Sequence, residues 1–248
     1  MDTTLIKGLK VLEHLVRSDT PLGVSALAAQ LGLQKSNVHR TLATLMHMRY
    51  VMQDESGAYR PTLRIWEQGA RVIAREPLRR AALAFMHSLQ QETAETVNLV
   101  VLEGDHCLFL HQIAAPMPLR VTSTVGQRVP AIYIAAGKVL LAYHPDVEKK
   151  ARAIAARQTR WNAPKAVKLP ALLEELAVAR KTGCAFSSGG WRDGVNSVAG
   201  IILGENGQAV GAIAVSGPQE RLTKDRMKAI AKSVLNVCTH TARALGAS

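Results

Sequence analysis

Residues 25–45 carry two helical patterns separated by one glycine, and this spacing constrains the fold more than any other feature of the chain. Ser25 is a candidate N-cap for a short helix over Ala26–Leu31, and Gly32 stands where a helix terminator belongs. Leu33 and Gln34 make a tight connection to a longer helix predicted from about Lys35 to Met48, with Val38, Leu42 and Leu45 inward. Two helices joined by so short a glycine-containing turn form a helix-turn-helix. Before them, Leu5, Leu9, Leu12 and Val16, with Leu15 beside them, predict an amphipathic helix from about Leu5 to Arg17, ended by Ser18-Asp19-Thr20-Pro21. After them, Tyr50-Val51-Met52 and Ala58-Tyr59-Arg60 read as short strands around the turn residues Asp54-Glu55-Ser56-Gly57. A hairpin in that position is a wing.

The outward face of the longer helix carries the functional expectation. Asn37, Arg40, Thr41 and Thr44 lie opposite the apolar stripe, and Lys35, Ser36 and His39 sit near the helix start. The N-terminal residues of a recognition helix meet base edges, where Asn pairs with adenine and Arg with guanine or phosphate. Tyr59 and Arg60 of the wing complete the candidate DNA contacts. The competing reading is a polar helix face that is simply solvated; the hairpin and the short preceding helix favour DNA. The net charge of +12, from 31 Lys and Arg against 19 Asp and Glu, supports a polyanionic partner. It does not single out this region, because the basic excess is spread along the chain.

Leu63, Trp66, Ala70 and Ile73 predict a linker helix studded with Arg64, Arg71 and Arg75. Pro77 interrupts or restarts it at a first helical position. Trp66 reads equally as a core residue or an interface anchor. The expected organisation is a winged helix over 1–62, a linker helix over 63–76 and a larger domain over 77–248. In that domain, strands are predicted at Val97–Leu102, Cys107–Gln112, Leu119–Thr124, Cys184–Ser187, Val195–Leu203 and Ala209–Ser216. Helices are predicted at Leu78–Gln91, Ile132–Tyr143, Val147–Arg157, Pro170–Lys181 and after Thr223, a candidate cap. Hairpin turns at Glu103–His106 and Glu205-Asn206-Gly207, with helices between and after, give an α+β class with an antiparallel sheet.

Cys107, Cys184 and Cys238 are far apart and odd in number, against a disulfide framework or a zinc knuckle. A reduced, cytoplasmic setting is expected. Lys7, Lys10 and Glu13 interrupt the N-terminal apolar residues, and Gly137 and Lys138 break the stretch Val129–Tyr143, so neither a signal peptide nor a membrane partner is expected.

The whole chain resembles the isocitrate lyase regulator (IclR) family of bacterial transcription factors. The resemblance rests on Gly32-Leu33-Gln34-Lys35-Ser36-Asn37-Val38-His39-Arg40 with Leu42-Ala43-Thr44-Leu45, and on three later blocks. These are Val125-Gly126-Gln127-Arg128-Val129-Pro130 leading to Ala135-Ala136-Gly137-Lys138, then Gly194-Val195-Asn196-Ser197-Val198-Ala199, then Ala212-Ile213-Ala214-Val215-Ser216-Gly217-Pro218. It implies a winged helix-turn-helix, a linker helix and a C-terminal GAF-like domain that binds a small organic acid and modulates affinity for operator DNA. It also implies a homodimer or dimer of dimers, and no cofactor. By the same resemblance the effector pocket is made by the backbone of Ala135, Ala136 and Gly137, the polar Ser197 and Ser216, and the apolar Val121 and Val129. Small residues near a helix start expose amides that attract an anion.

This chain departs from the family pattern at several of these places. Ser187, Ser188, Gly189 and Gly190 stand where acidic residues are frequent, Ala214 where a polar residue is frequent, and Ile132 near a frequent His. Trp191 and Tyr133 are expected to line the pocket instead, which favours a less polar or aromatic acid over a very small one. Asn37 replaces a more usual Thr.

The alternative is an enzyme acting on a small organic acid with an appended DNA-binding module. Ser197, Ser216 and Cys184 are its candidate nucleophiles, and each needs a histidine base held by a third group. His106, His111 and His144 sit in no recognisable motif, and GxSxG, HExxH, GxGxxG and P-loop patterns are missing from the sequence. Asp105, His106 and His111 could in principle bind a metal, but lone histidines are more often structural. The expected reading is a non-enzymatic regulator without a metal.

Overall fold

The computed structural model describes residues 1–163 and 165–246, and it divides into two units, one ending at Ala74 and the next beginning at Arg75. Within the stretch expected as a linker, the helix Arg64–Ala74 groups with the first unit.

The first unit is set by its caps. The Asp2 carboxylate accepts from the amides of Thr4 and Leu5 at 2.8 and 3.1 Å, so α1 (Thr3–Arg17) starts before the expected Leu5. The helix has two apolar stripes. Val11 and Leu15 enter the core, whereas Leu5, Leu9 and Val16 are exposed, so most of the expected inward stripe faces out. Helix α2 (Val24–Leu31) is preceded by Gly23, not capped by Ser25. Leu22 pairs with Tyr59 and holds the chain extended just before that glycine. Gly32, with φ +64°, ends α2 in the left-handed region, where a side chain would be strained. Helix α3 (Lys35–His47) buries Val38 and Leu42, and Leu45 is half-buried beside them. Strands β1 (Val51–Gln53) and β2 (Tyr59–Pro61) form the wing, and Asp54 Oδ1 accepts from the amides of Ser56 and Ala58 to shape its turn. Helix α4 (Arg64–Ala74) has no buried residue.

The second unit opens with α5 (Pro77–Thr93). Pro77 is in its first turn, and the Glu76 carboxylate accepts from the amide of Leu78. A six-stranded antiparallel sheet follows, made of β3 (Thr96–Glu103), β4 (His106–Ile113), β5 (Arg128–Pro130), β6 (Cys184–Ser188), β7 (Val195–Leu203) and β8 (Ala209–Pro218), in spatial order β5-β4-β3-β8-β7-β6. Ile213 and Val215 pack with α5 and α9 (Lys224–Gly246) on one face. Ala212 and Ala214 pack on the other face with α6 (Ala135–Ala142), α7 (Val147–Ala155) and α8 (Leu169–Thr182). A sheet covered on both faces matches the expected α+β class. Thr223 Oγ1 accepts from the amide of Arg226 and caps α9 as expected.

Two expected elements differ. The segment 119–124 forms no strand and does not pair in the sheet, because side chains replace the ladder. Arg221 donates to Leu119 O (2.9 Å), Thr96 to Val121 O (2.7 Å) and Arg192 to Thr122 O (3.1 Å). The predicted helix 132–143 is a short 3-10 turn, Ala131–Tyr133, followed by α6, because Ile134 between them is extended. No helix among the described residues is long and apolar enough to cross a membrane.

Candidate functional site

In the first unit, α3 presents Lys35, Ser36, His39 and Arg40 as exposed side chains along its first turns. Asn37 is half-buried, and its Oδ1 accepts from Arg40 Nη2 at 3.0 Å, so the two act as one hydrogen-bonded group. Thr41 and Thr44 border a groove shared with Leu5, Gly8 and Leu9 of α1, and the Thr44 hydroxyl donates to Arg40 O. Arg40 borders the same groove. Tyr59, expected among the DNA contacts, is 5% exposed and packs in the core, while Arg60 beside it is exposed. The correction follows from β alternation: Val51 and Tyr59 face the helices, and their neighbours face solvent.

In the second unit a cavity of about 60 Å³ opens between the α6 end of the sheet and segment 119–127. Val121, Val129, Ala136, Trp191, Ser197 and Ser216, all expected there, line it. Ser197 and Ser216 are direct partners across β7 and β8. Ala135 and Gly137 do not line it. Gly137 is required for packing: a Cβ there would lie 2.1 Å from the carbonyl oxygen of Ala131. Ala135 is fully buried. Only every second small residue of that helix start therefore reaches the cavity, with Ile134 on its other side.

The α6 start has no side-chain cap, so the first amides of the helix keep their polarity for whatever enters. Arg192, at the rim, is the only charged residue among the lining groups, and no carboxylate or histidine is among them. Tyr133 and Trp191 stack at a tilt, ring centres 5.7 Å apart, and form an aromatic wall. The Ser187 hydroxyl donates to Tyr133 O at 2.8 Å and closes the back.

The sequence reading missed Asn98, the most informative lining residue. It is 1% exposed, and its Oδ1 accepts from Gln112 Nε2 at 3.3 Å. Its Nδ2 has no hydrogen-bond partner among the described residues, a buried donor in a floor otherwise made by Val100, Phe109 and Ala214. A polar residue inside the apolar run Val97–Leu102 was the available signal.

The catalytic alternatives find less. Burial pushes the Cys184 thiol up to about 11 and that of Cys238 to about 12, so neither is a thiolate at neutral pH. The Asp105 carboxylate lies between Lys150 (2.9 Å) and Arg157 (2.6 Å), and His106 packs edge-on against Trp161. Among the described residues, no group of three His, Cys, Asp or Glu side chains converges on a metal position.

A winged helix with a basic outward helix face, followed on the same chain by a unit with a small cavity lined by apolar, aromatic and hydroxyl side chains, defines a DNA-binding regulator. The chain belongs to the IclR family of bacterial transcriptional regulators. Residues 4–55 match the IclR helix-turn-helix domain, and residues 70–243 match the bacterial transcriptional regulator IclR C-terminal domain. The chain is 30% identical over 243 residues to the HTH-type transcriptional repressor AllR of Salmonella paratyphi A, covering 98% of this chain and 89% of that protein. It is 29% identical over 245 residues to AllR of Escherichia coli K12, covering 98% and 90%. Among solved structures it resembles an IclR homologue from Microbacterium hydrocarbonoxydans complexed with 4-hydroxybenzoate, with a TM-score of 0.82, 23% identity and coverage of 99% and 100%. It also resembles the Thermotoga maritima IclR, with a TM-score of 0.74, 23% identity and coverage of 99% and 100%.

Proposed function

We propose that this protein is a cytoplasmic repressor whose hold on operator DNA is set by a small organic monocarboxylate in the second unit. The cavity carries this reading. It combines an apolar and aromatic wall, one cation, an uncapped helix start and the unpartnered Asn98 Nδ2, with no carboxylate and no histidine base. Such a site favours holding an anion over transforming it. The AllR relatives are repressors by name, and the 4-hydroxybenzoate complex shares this fold. An aromatic acid needs more room than about 60 Å³, since a cavity near 150 Å³ is what admits benzene. Segment 119–124, held mainly by side chains, is the part that yields to admit it. A panel of aromatic and aliphatic acids, titrated against operator binding by the full chain, tests the proposal. The expected result is an effector response that Ala136→Leu removes while basal DNA binding stays intact. An equal response in Ala136→Leu places the effector elsewhere.

Arg40 and Lys35 are proposed to hold phosphates, Asn37 to read a base edge, and Ser36, His39, Thr41, Thr44 and Arg60 to support them. Arg40→Ala should weaken binding to all DNA and reduce the salt slope by about one unit. Asn37→Ala should cost about 1–3 kcal/mol of sequence discrimination. Because the two side chains are hydrogen-bonded, the double variant should lose less than the sum of the singles. Operator selection that returns an unchanged site for Asn37→Ala would remove its reading role.

One winged helix contacts only a few base pairs, so specific binding needs a pair. The proposed dimer covers the exposed Leu5 and Leu9 of α1 together with Leu63, Trp66 and Val72 in or next to α4, a helix with nothing of its own buried. In this reading Trp66 is the interface anchor, and a dimer of dimers is the larger assembly. Sedimentation of the full chain that finds only monomer at micromolar concentration contradicts the pairing.

A further inference from the structure

Behind the wall formed by Tyr133, Ser187 and Gly190 lies a second groove, of about 460 Å³, that the effector reading does not use. Four lysines line it, Lys138, Lys165, Lys168 and Lys224, against one carboxylate, Glu175. Glu175 is already engaged, with Lys138 Nζ at 2.6 Å. Lys165, Lys168 and Lys224 have no ion pair among the described residues.

Their positions run against the usual electrostatics of helices. Lys168 is the N-cap residue of α8, a 14-residue helix with no side-chain cap and no acidic residue in its first turn. Lys224 is the first residue of α9. A cation at the positive end of a helix is disfavoured; at α8 neither a first-turn acid nor a side-chain cap offsets it, whereas at α9 Asp225 and the Thr223 cap do. Lys165 reaches the same place from the opposite side. A Cβ at Gly189 would sit 3.1 Å from its Nζ, and Gly189, with φ +62°, leaves that approach open. Lys165, Lys168 and Lys224 are exposed and come from separate segments, so the groove carries a positive potential that a bound anion would offset.

We infer that this groove is a second ligand site, taking a compact polyanion with two or more negative charges, such as a phosphorylated or polycarboxylate metabolite. A monocarboxylate would leave most of the lysine charge unbalanced. The site also touches the first cavity through a shared wall. Ser187 donates to Tyr133 O, and a Cβ on Gly190 would lie 2.1 Å from that same oxygen, so the two compartments share one rigid partition.

The test is calorimetry on the full chain with inorganic pyrophosphate and with citrate, using acetate as the monoanion. Both polyanions should bind at least tenfold more tightly than acetate, and the tighter of the two identifies phosphate or carboxylate as the natural chemistry. Combined Lys165→Gln, Lys168→Gln and Lys224→Gln should weaken polyanion binding at least tenfold. Arg40→Ala and Ala136→Leu should leave it unchanged. Glu175→Gln, which frees Lys138, should tighten it several-fold. Polyanion binding lost with Arg40→Ala, binding that survives the triple exchange, or no heat from either polyanion at millimolar concentration would each overturn the site. Because Ala136→Leu removes the monocarboxylate response alone, failure of the effector reading and failure of this one are separable.

Discussion

Arg221→Leu should destabilise the second unit by about 3 kcal/mol. Glu95 is 1% exposed, and Arg221 holds both its oxygens at 2.8 Å through a bidentate pair. Removing one partner of a buried pair strands the other charge, at about 3–5 kcal/mol. The lower end applies here because Arg226 Nη1, 3.9 Å from Glu95, supplies part of the compensation and because Arg221 itself is partly solvated. For a unit of this size the loss corresponds to a melting point lower by about 6–12 °C. Substituting both Glu95 and Arg221 by leucine should recover most of it, since two apolar groups leave no buried charge. Thermal denaturation of the single and double variants decides the matter; a single variant that melts within about 2 °C of the parent would mean the pair is worth little. The exchange also removes the donor to Leu119 O, so the cavity mouth should loosen and ligand off-rates should rise.

Asn98→Leu should move stability and binding in opposite directions. In the unliganded protein an apolar side chain relieves a buried donor with no acceptor, a gain of about 1–3 kcal/mol, or a few degrees in melting temperature. The weak bond from Gln112 is the only hydrogen bond surrendered. Effector affinity should fall at least tenfold, because the floor loses its hydrogen-bond donor. A structural asparagine would do the reverse, lowering the melting point and leaving affinity alone. Differential scanning calorimetry of the free protein, paired with titration of the acid panel, distinguishes the two.

What could be read directly from the sequence was whatever is encoded locally. Gly32, the Asp54–Gly57 turn, Pro77 and Thr223 act within a few residues, and each does what its chemistry predicts. Helix α1 was harder, because Leu5-Leu9-Val16 and Val11-Leu15 are equally good stripes and periodicity alone does not choose the buried one. Segment 119–124 reads as a strand but is not one, because its partners are side chains of Thr96, Arg192 and Arg221, distant in sequence. Ser197, Ser216 and Ala136 were placed in the cavity by family resemblance, while Gly137 answers to a carbonyl of the preceding turn that no local pattern announces. Asn98 escaped because a strand buried on both faces loses the period-two signal that marks a residue as pointing into a site.

The way the cavity mouth is fastened bears on how such a protein changes over generations. A strand in the mouth would share its hydrogen bonds with the sheet, and altering it would disturb register across the whole unit. Here the fastening is three side chains rooted in separate places, on β3, on the turn before β7 and on the turn before α9. Two of them, Thr96 and Arg192, can be exchanged by a single codon while the sheet keeps its pairing, whereas Arg221 is also tied to Glu95 and is less free to change. Ligand preference can therefore drift faster than architecture, and a lineage can acquire a new chemical signal without first surviving a loss of fold.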